Sequence, residues 1–173
     1  MEDAEFGETG YAVIDVEALI LGPKVRVVEQ VGFVLISAKT GLEILGEKFL
    51  VFQPMDANAL SMYYRQPRQV VDYAINAYGR ITGDDYIHND PNLHPIWGAV
   101  KTRIRKIINR RAIKVYAKGA ALERTVFSNA FDLLDLEWYG CPKYPLAVHD
   151  PLEECRFFSS YIPELSVPWQ PDV

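Results

Sequence analysis

Cysteine is scarce in this chain: Cys141 and Cys155 are the only two in 173 residues. Two thiols make no disulfide framework, so the expected setting is reducing and intracellular, cytoplasmic or nuclear. Long apolar runs are also missing, with none near the ~20 residues that span a bilayer. The segment from Met1 to Gly10 is acidic and polar, unlike a secretory signal. Neither a membrane span nor a membrane partner is expected. Basic charge is short: 18 Lys+Arg stand against 23 Asp+Glu, a net charge of -5. That argues against a general polyanion binder, so a nucleic-acid partner would need a local patch or bound metal. Repeats and low-complexity tracts are absent. With 49% hydrophobic and 24% charged residues, the chain is not disordered and is long enough for one ordinary core.

What is present is ordered punctuation. Tyr11-Ala-Val-Ile-Asp-Val16 is apolar and β-branched, as a strand buried on both faces reads. Val25 to Ile36 follows a Gly22-Pro23 turn, and Lys39-Thr40-Gly41 turns the chain into Leu42 to Phe52. The first third is therefore expected to be an antiparallel meander, with its first strand central. Helical spacing then marks residues 66–78 and Pro95 to Arg110, separated by a polar loop over residues 79–92. Ile113 to Ala117 reads as a fourth strand, Ala121 to Phe131 as a helix, Leu133 to Trp138 as a short fifth strand, and Pro151 to Tyr161 as the last helix. The expected fold is α/β, a central mixed five-stranded sheet flanked by helices. Residues 1–10 are expected to be a flexible N-terminus, 11–162 the domain, and 163–173 a proline-rich tail.

Polar residues recur at the ends of these elements. Asp15 and Glu17 lie two apart on the first strand and so share one face. An acid on so apolar a strand needs a partner or a metal to offset desolvation. Glu123 falls on the first turn of a helix, where the helix dipole alone would favour it. His149 and Glu154 open the last helix, with Glu153 competing for Glu154's role. Such acids can converge at the carboxyl edge of one sheet, where open α/β sheets place ligands.

These residues resemble the motifs of the DEDDh-type 3′–5′ exonucleases, which share the ribonuclease-H-like fold. Val13-Ile-Asp-Val-Glu17 is similar to the family's apolar strand ending in Asp-x-Glu, and the stretch from Val28 to Pro54 to its meander closed by a proline. Tyr78-Gly-Arg-Ile-Thr-Gly-Asp-Asp85 is similar to its Gly-Ile-Thr loop, Tyr116-Ala-Lys-Gly-Ala-Ala-Leu-Glu123 to its second motif, and His149-Asp-Pro-Leu-Glu-Glu154 to His-x4-Asp. The resemblance runs over residues 11–162. It implies a metal-dependent exonuclease acting on 3′ ends of single-stranded RNA or DNA. Two Mg²⁺ or Mn²⁺ ions would be held by Asp15, Glu17, Glu123 and Glu154, with His149 as the base. The alternative is a weakened member of the fold that binds nucleic acid or a protein. This chain departs from the pattern in having Glu123 and Glu154 where the family has Asp, Gly119 for its motif-two Asn, and Lys118 for the preceding His. Each longer acid reaches roughly 1.5 Å further, against the near-octahedral distances of Mg²⁺. A looser resemblance, on Lys118-Gly119 and Gly140-Cys141-Pro142, is to exonuclease-like proteins of invertebrate genomes, their viruses and mobile elements.

For nucleic-acid contact the candidates are Lys118 and Leu19, beside the motifs, and Arg103, Arg105 and Arg110. The last three belong to a stretch from Lys101 to Lys114 that has seven basic residues and no acid. It reads equally as a solvated helix face or as a backbone footprint. Tyr63, Tyr64, Tyr73 and Tyr78 fit a core rim better than a stacking platform. Zinc on Cys141, His149 and Cys155 has suitable ligand types but no Cys-x2-Cys pair.

Overall fold

The computed structural model describes residues 7–22, 25–51, 53, 55–65, 95–128 and 131–165. Its strands are β1 (Gly10–Gly22), β2 (Val25–Ser37), β3 (Glu43–Leu50), β4 (Ala112–Ala117) and β5 (Leu133–Asp135). They form one sheet in the order β3-β2-β1-β4-β5. The first three are the expected meander, antiparallel in register from Gly10↔Ser37 and Gln30↔Leu50. β4 then lies parallel to β1, and β5 parallel to β4. β1 is thus central, as its apolar character on both faces requires.

The described helices are α1 (Ala57–Arg65), α2 (Trp97–Arg111), α3 (Ala121–Val126) and α4 (Pro151–Ser159), with 3₁₀ turns at Leu136–Tyr139 and Pro163–Leu165. None of them is long and apolar enough to cross a membrane. The expected helix at residues 66–78 and the loop at 79–92 lie outside the described residues, as do 166–173 of the tail.

Alternation along β1 sorts the core onto two faces. Ala12, Ile14 and Val16 pack with Trp97, Val100, Ile104 and Ile108 of α2. Val13 and, across the strands, Val34 and Tyr116 pack with Cys155 and Phe158 of α4. Burying a side chain such as Ile104 contributes about 1.5–3 kcal/mol, whereas a surface pair such as Arg103–Glu47 contributes about 0–1 kcal/mol. The apolar stripe of α2, not its charge, therefore decides where it docks.

Several boundaries differ from the sequence expectation for local reasons. β1 runs beyond Glu17 to Gly22 because Leu19 and Leu21 bury with Val27, Ala59 and Tyr63 beneath α1. Asp56 starts α1 by accepting the Ala59 N–H at 2.7 Å, a capping signal that the sequence reading passed over. α3 ends at Val126 rather than Phe131, and Ser128 just beyond it takes a left-handed φ of 56°. β5 stops at Asp135, whose carboxylate caps the following 3₁₀ turn through the Glu137 N–H at 2.9 Å. Further on, Glu164 pairs with Lys114 at 2.7 Å and accepts the Tyr116 O–H, which ties the start of the proline-rich segment to β4.

One glycine governs how α4 sits on the sheet. Gly32 of β2 pairs with Asp15, and a Cβ there would stand 2.2 Å from the Pro151 carbonyl oxygen. Only a bare Cα lets the helix start lie flat beside Asp15. Gly32→Ala should therefore lower stability by about 1–3 kcal/mol, as overpacking does. Urea unfolding measures this, and an unchanged midpoint would show that the helix start yields freely.

Candidate active site

Parallel pairing between β1 and β4 covers only Gly10 to Val13. Past Val13 the flank of β1 on that side is open, and Asp15 and Glu17 project there on the α4 face. A pocket of about 450 Å³ opens at this place, beyond the carboxyl ends of β4 and β5. Asp15, Glu17, His149 and Glu154 all line it.

The last two residues are delivered by the start of α4. Asp150 is its N-cap, accepting the N–H groups of Leu152 and Glu153 at 3.0 and 3.2 Å, with Pro151 in the first turn. Lys48 of β3 anchors Asp150 at 2.9 Å. This fixes the phase of the helix. Glu154 points inward, only 4% exposed, while Glu153 points out to Arg156 at 2.8 Å. Between the two neighbouring acids, Glu154 is thus the one brought to the site. Its Oε1 lies 2.8 Å from His149 Nδ1.

Charge is poorly satisfied in this pocket. Among the described residues, the buried oxygens Asp15 Oδ2 and Glu154 Oε2 have no fixed donor to bond to, and only a proton shared between the crowded carboxyls themselves could bridge them. Such orphans are rare in proteins and need an explanation. Burial, then the charges of Glu17 and Glu154, hold the Asp15 carboxyl well above its usual range. Burial and the Glu154 charge raise Glu17 from 4.5 to about 8. A cation would remove both penalties at once. Atoms of Glu17, His149 and Glu154 lie within 4.8 Å of one another, close enough to share an ion. A donor set dominated by carboxylate oxygen suits Mg²⁺ or Mn²⁺, so the residues present fit a hard divalent ion.

Glu123 behaves differently. Its Oε2 accepts the Val16 N–H at 3.0 Å, on the stretch of β1 that β4 no longer covers. This bond satisfies a buried backbone donor that would otherwise have no strand partner. Burial still pushes the Glu123 carboxyl up from 4.5 to about 7, against the lowering effect of that bond. It does not line the pocket.

The remaining sequence candidates separate. Lys118 lines the pocket, bonded to Glu137 at 2.7 Å. Arg103, Arg105 and Arg110 do not reach it, because α2 covers the opposite face of the sheet. Arg103 pairs with Glu47, Arg105 donates to the Phe127 carbonyl at 2.8 Å, and Arg110 lines a separate groove with Leu45 and Ile107. As contacts for a strand bound at the acids, these three are set aside. Leu19 is corrected likewise, since it is 5% exposed beneath α1. Tyr63 is buried and Tyr64 exposed, with rings 5.5 Å apart, while Tyr73 and Tyr78 lie outside the described residues. Both cysteines are buried and neither joins the metal-competent group.

Sequence reasoning missed Lys143 and Tyr144, which line the pocket, and Gln30, buried opposite Glu17 on β2. The cross-strand register would have exposed Gln30, which with Glu29 interrupts the apolar run from Val27 to Ile36. No motif signals the other two.

The raised acids set a sign for the pH dependence. A carboxyl whose folded pKa exceeds its unfolded value binds more protons when folded, so stability falls as pH rises between the two. For Glu17 that window runs from 4.5 to about 8. Metal-free protein should melt at progressively lower temperature across it, and Glu17→Gln should flatten the decline. At the upper end, Mn²⁺ at about 100 times its dissociation constant should stabilise the protein by about 2.7 kcal/mol. Chelation or Asp15→Ala should abolish that gain. Melting curves measure both effects, and a flat metal-free profile unmoved by Mn²⁺ would exclude a metal centre.

No protein-family model matches the chain, and no curated protein matches it by sequence. Solved structures do match by shape. An E. coli exonuclease I structure, in complex with a 5cy-dA13 oligonucleotide, is 12% identical with a TM-score of 0.56 over 91% of this chain. An ExoI/SSB-Ct complex is 11% identical with a TM-score of 0.55 over 89% of this chain. The chain spans 40% of the length of each. At such identity the likeness establishes the architecture: a mixed five-stranded α/β sheet of the ribonuclease-H-like exonuclease fold.

Proposed function

We propose that the chain is a divalent-metal-dependent 3′–5′ exonuclease, hydrolysing phosphodiester bonds at the 3′ end of single-stranded RNA or DNA. The observation that carries this reading is the meeting of Asp15, Glu17, Glu154 and His149 in one open pocket, with two buried carboxylate oxygens that no fixed donor among the described residues satisfies. The fold shared with an exonuclease crystallised on an oligonucleotide supports it.

Asp15, Glu17 and Glu154 would hold two Mg²⁺ or Mn²⁺ ions, with Glu123 as the fourth acid, supplying Lewis-acid stabilisation of charge on the phosphate and on the leaving oxygen. The rest is done by the chain. If His149 Nδ1–H donates to Glu154 Oε1, the lone pair lies on Nε2, which takes a proton from the attacking water. Water oxygen bonds to phosphorus, the bond to the 3′ oxygen breaks, and that oxygen takes a proton from solvent to leave as a hydroxyl, while His149 returns its proton to solvent. Glu154 serves twice, since Oε1 orients the imidazole while Oε2 remains for a cation. Lys118 stands beside the pocket to meet the strand.

A second reading has its own observation. The Glu123 carboxylate is bonded to the β1 backbone and stands off the pocket. A site short of that acid would bind a strand, or a protein partner, with little or no cleavage.

Degradation of 5′-labelled single-stranded RNA and DNA with Mn²⁺ or Mg²⁺ decides between them. A ladder growing from the 3′ end should appear, vanish with chelator and in Asp15→Ala/Glu17→Ala, and slow by about 10²–10⁴-fold in His149→Ala. Binding without a ladder in either metal would establish the second reading.

A further inference from the structure

Two lysines share the pocket with the acids, Lys118 and Lys143. An ammonium beside crowded carboxylates is expected to pair with one of them, since a pair relieves like-charge repulsion. Lys118 finds a carboxylate in Glu137, 2.7 Å away. Lys143 does not: among the described residues, no carboxylate lies within ion-pair distance of its ammonium.

The backbone that carries Lys143 is held on both sides. Cys141, two residues before it, is 6% exposed, and its N–H reaches the Leu136 carbonyl at 3.4 Å. Pro142 restricts the chain immediately before the lysine. After it, the Tyr144 ring stands edge-on to Phe157 at 5.7 Å and lies 6.1 Å from the His149 ring. The lysine is thus presented to the pocket by an anchored segment that also adjoins His149. A cation lining the same pocket as Asp15, Glu17, Glu137 and Glu154 without pairing to any of them is matched by an anion that arrives from outside.

We propose that Lys143 grips a backbone phosphate of the bound strand, next to the phosphate positioned at the acids. This rests on the exonuclease reading and adds a contact to it. The ligand is the phosphodiester itself, identical at every nucleotide, so Lys143 contributes affinity and register without sequence preference. A flexible ammonium acts as a point charge toward phosphate oxygens and needs no fixed approach angle.

The test is binding of labelled oligothymidylate and oligouridylate in Ca²⁺, titrated across KCl concentrations. Lys143→Ala should weaken binding roughly threefold to tenfold and make the log–log salt slope shallower by about 0.7, the value for one contact on a single strand. Lys143→Arg should restore both. Thermal melting of Lys143→Ala should match the parent, and its Mn²⁺ affinity should be unchanged or tighter. If the parent binds and Lys143→Ala binds with the same affinity and slope, the phosphate contact is overturned while the exonuclease reading stands. Weaker Mn²⁺ binding by Lys143→Ala would overturn it too, by making the lysine an organiser of the acids. A parent protein that binds neither strand overturns the exonuclease reading, and Lys143's role falls with it.

Discussion

Like charges confined in a buried space are the constraint on which this molecule turns. Asp15 and Glu17 sit on the strand that every other part of the sheet is built around, and Glu154 is driven toward them by the helix that covers that face. Hydrophobic burial supplies the force, because Cys155 and Phe158 on the same helix pack into the core beside them. The fold therefore concentrates carboxylates that would otherwise avoid one another, and burial with mutual repulsion raises the Asp15 and Glu17 carboxyls above their usual range. Conflict between global packing and local electrostatics of this kind clusters at functional sites in proteins generally.

Each contributor to that arrangement acts through another. Gly32 admits the start of α4, Asp150 sets its phase, and that phase turns Glu154 inward and Glu153 outward. Glu123 works from the other flank, where it bonds the β1 backbone at the point where β4 stops pairing. It is a buried acid whose place follows from an unpaired peptide N–H.

Legibility in the sequence follows the range of the interactions involved. The meander, the central place of β1 and the pairing of Asp15 with Glu17 rest on a two-residue period and were readable. His149 and Glu154 were readable because a proline and a capping aspartate mark the helix start between them. The face of the sheet to which α2 docks was not, since a basic stripe tells only that one side of a helix meets water. That is why Arg103, Arg105 and Arg110 fell on the far side from the acids. Leu19 misled for a similar reason: its burial depends on α1, nearly forty residues away along the chain. The bond from the Val16 N–H to Glu123 was not readable, because it spans two elements and leaves no local trace.

The outer strands have a consequence for how these molecules behave when crowded. A sheet can lengthen only at its ends, which among the described residues are β3 and β5. β5 has three residues and then tightens into a 3₁₀ turn closed by a left-handed Gly140. β3 carries Glu43, Glu47 and Lys48, each tied to a helix on one face or the other. One edge is too short to template a neighbour's strand, and the other would bring charged side chains against it. Both are familiar guards against polymerisation by strand addition.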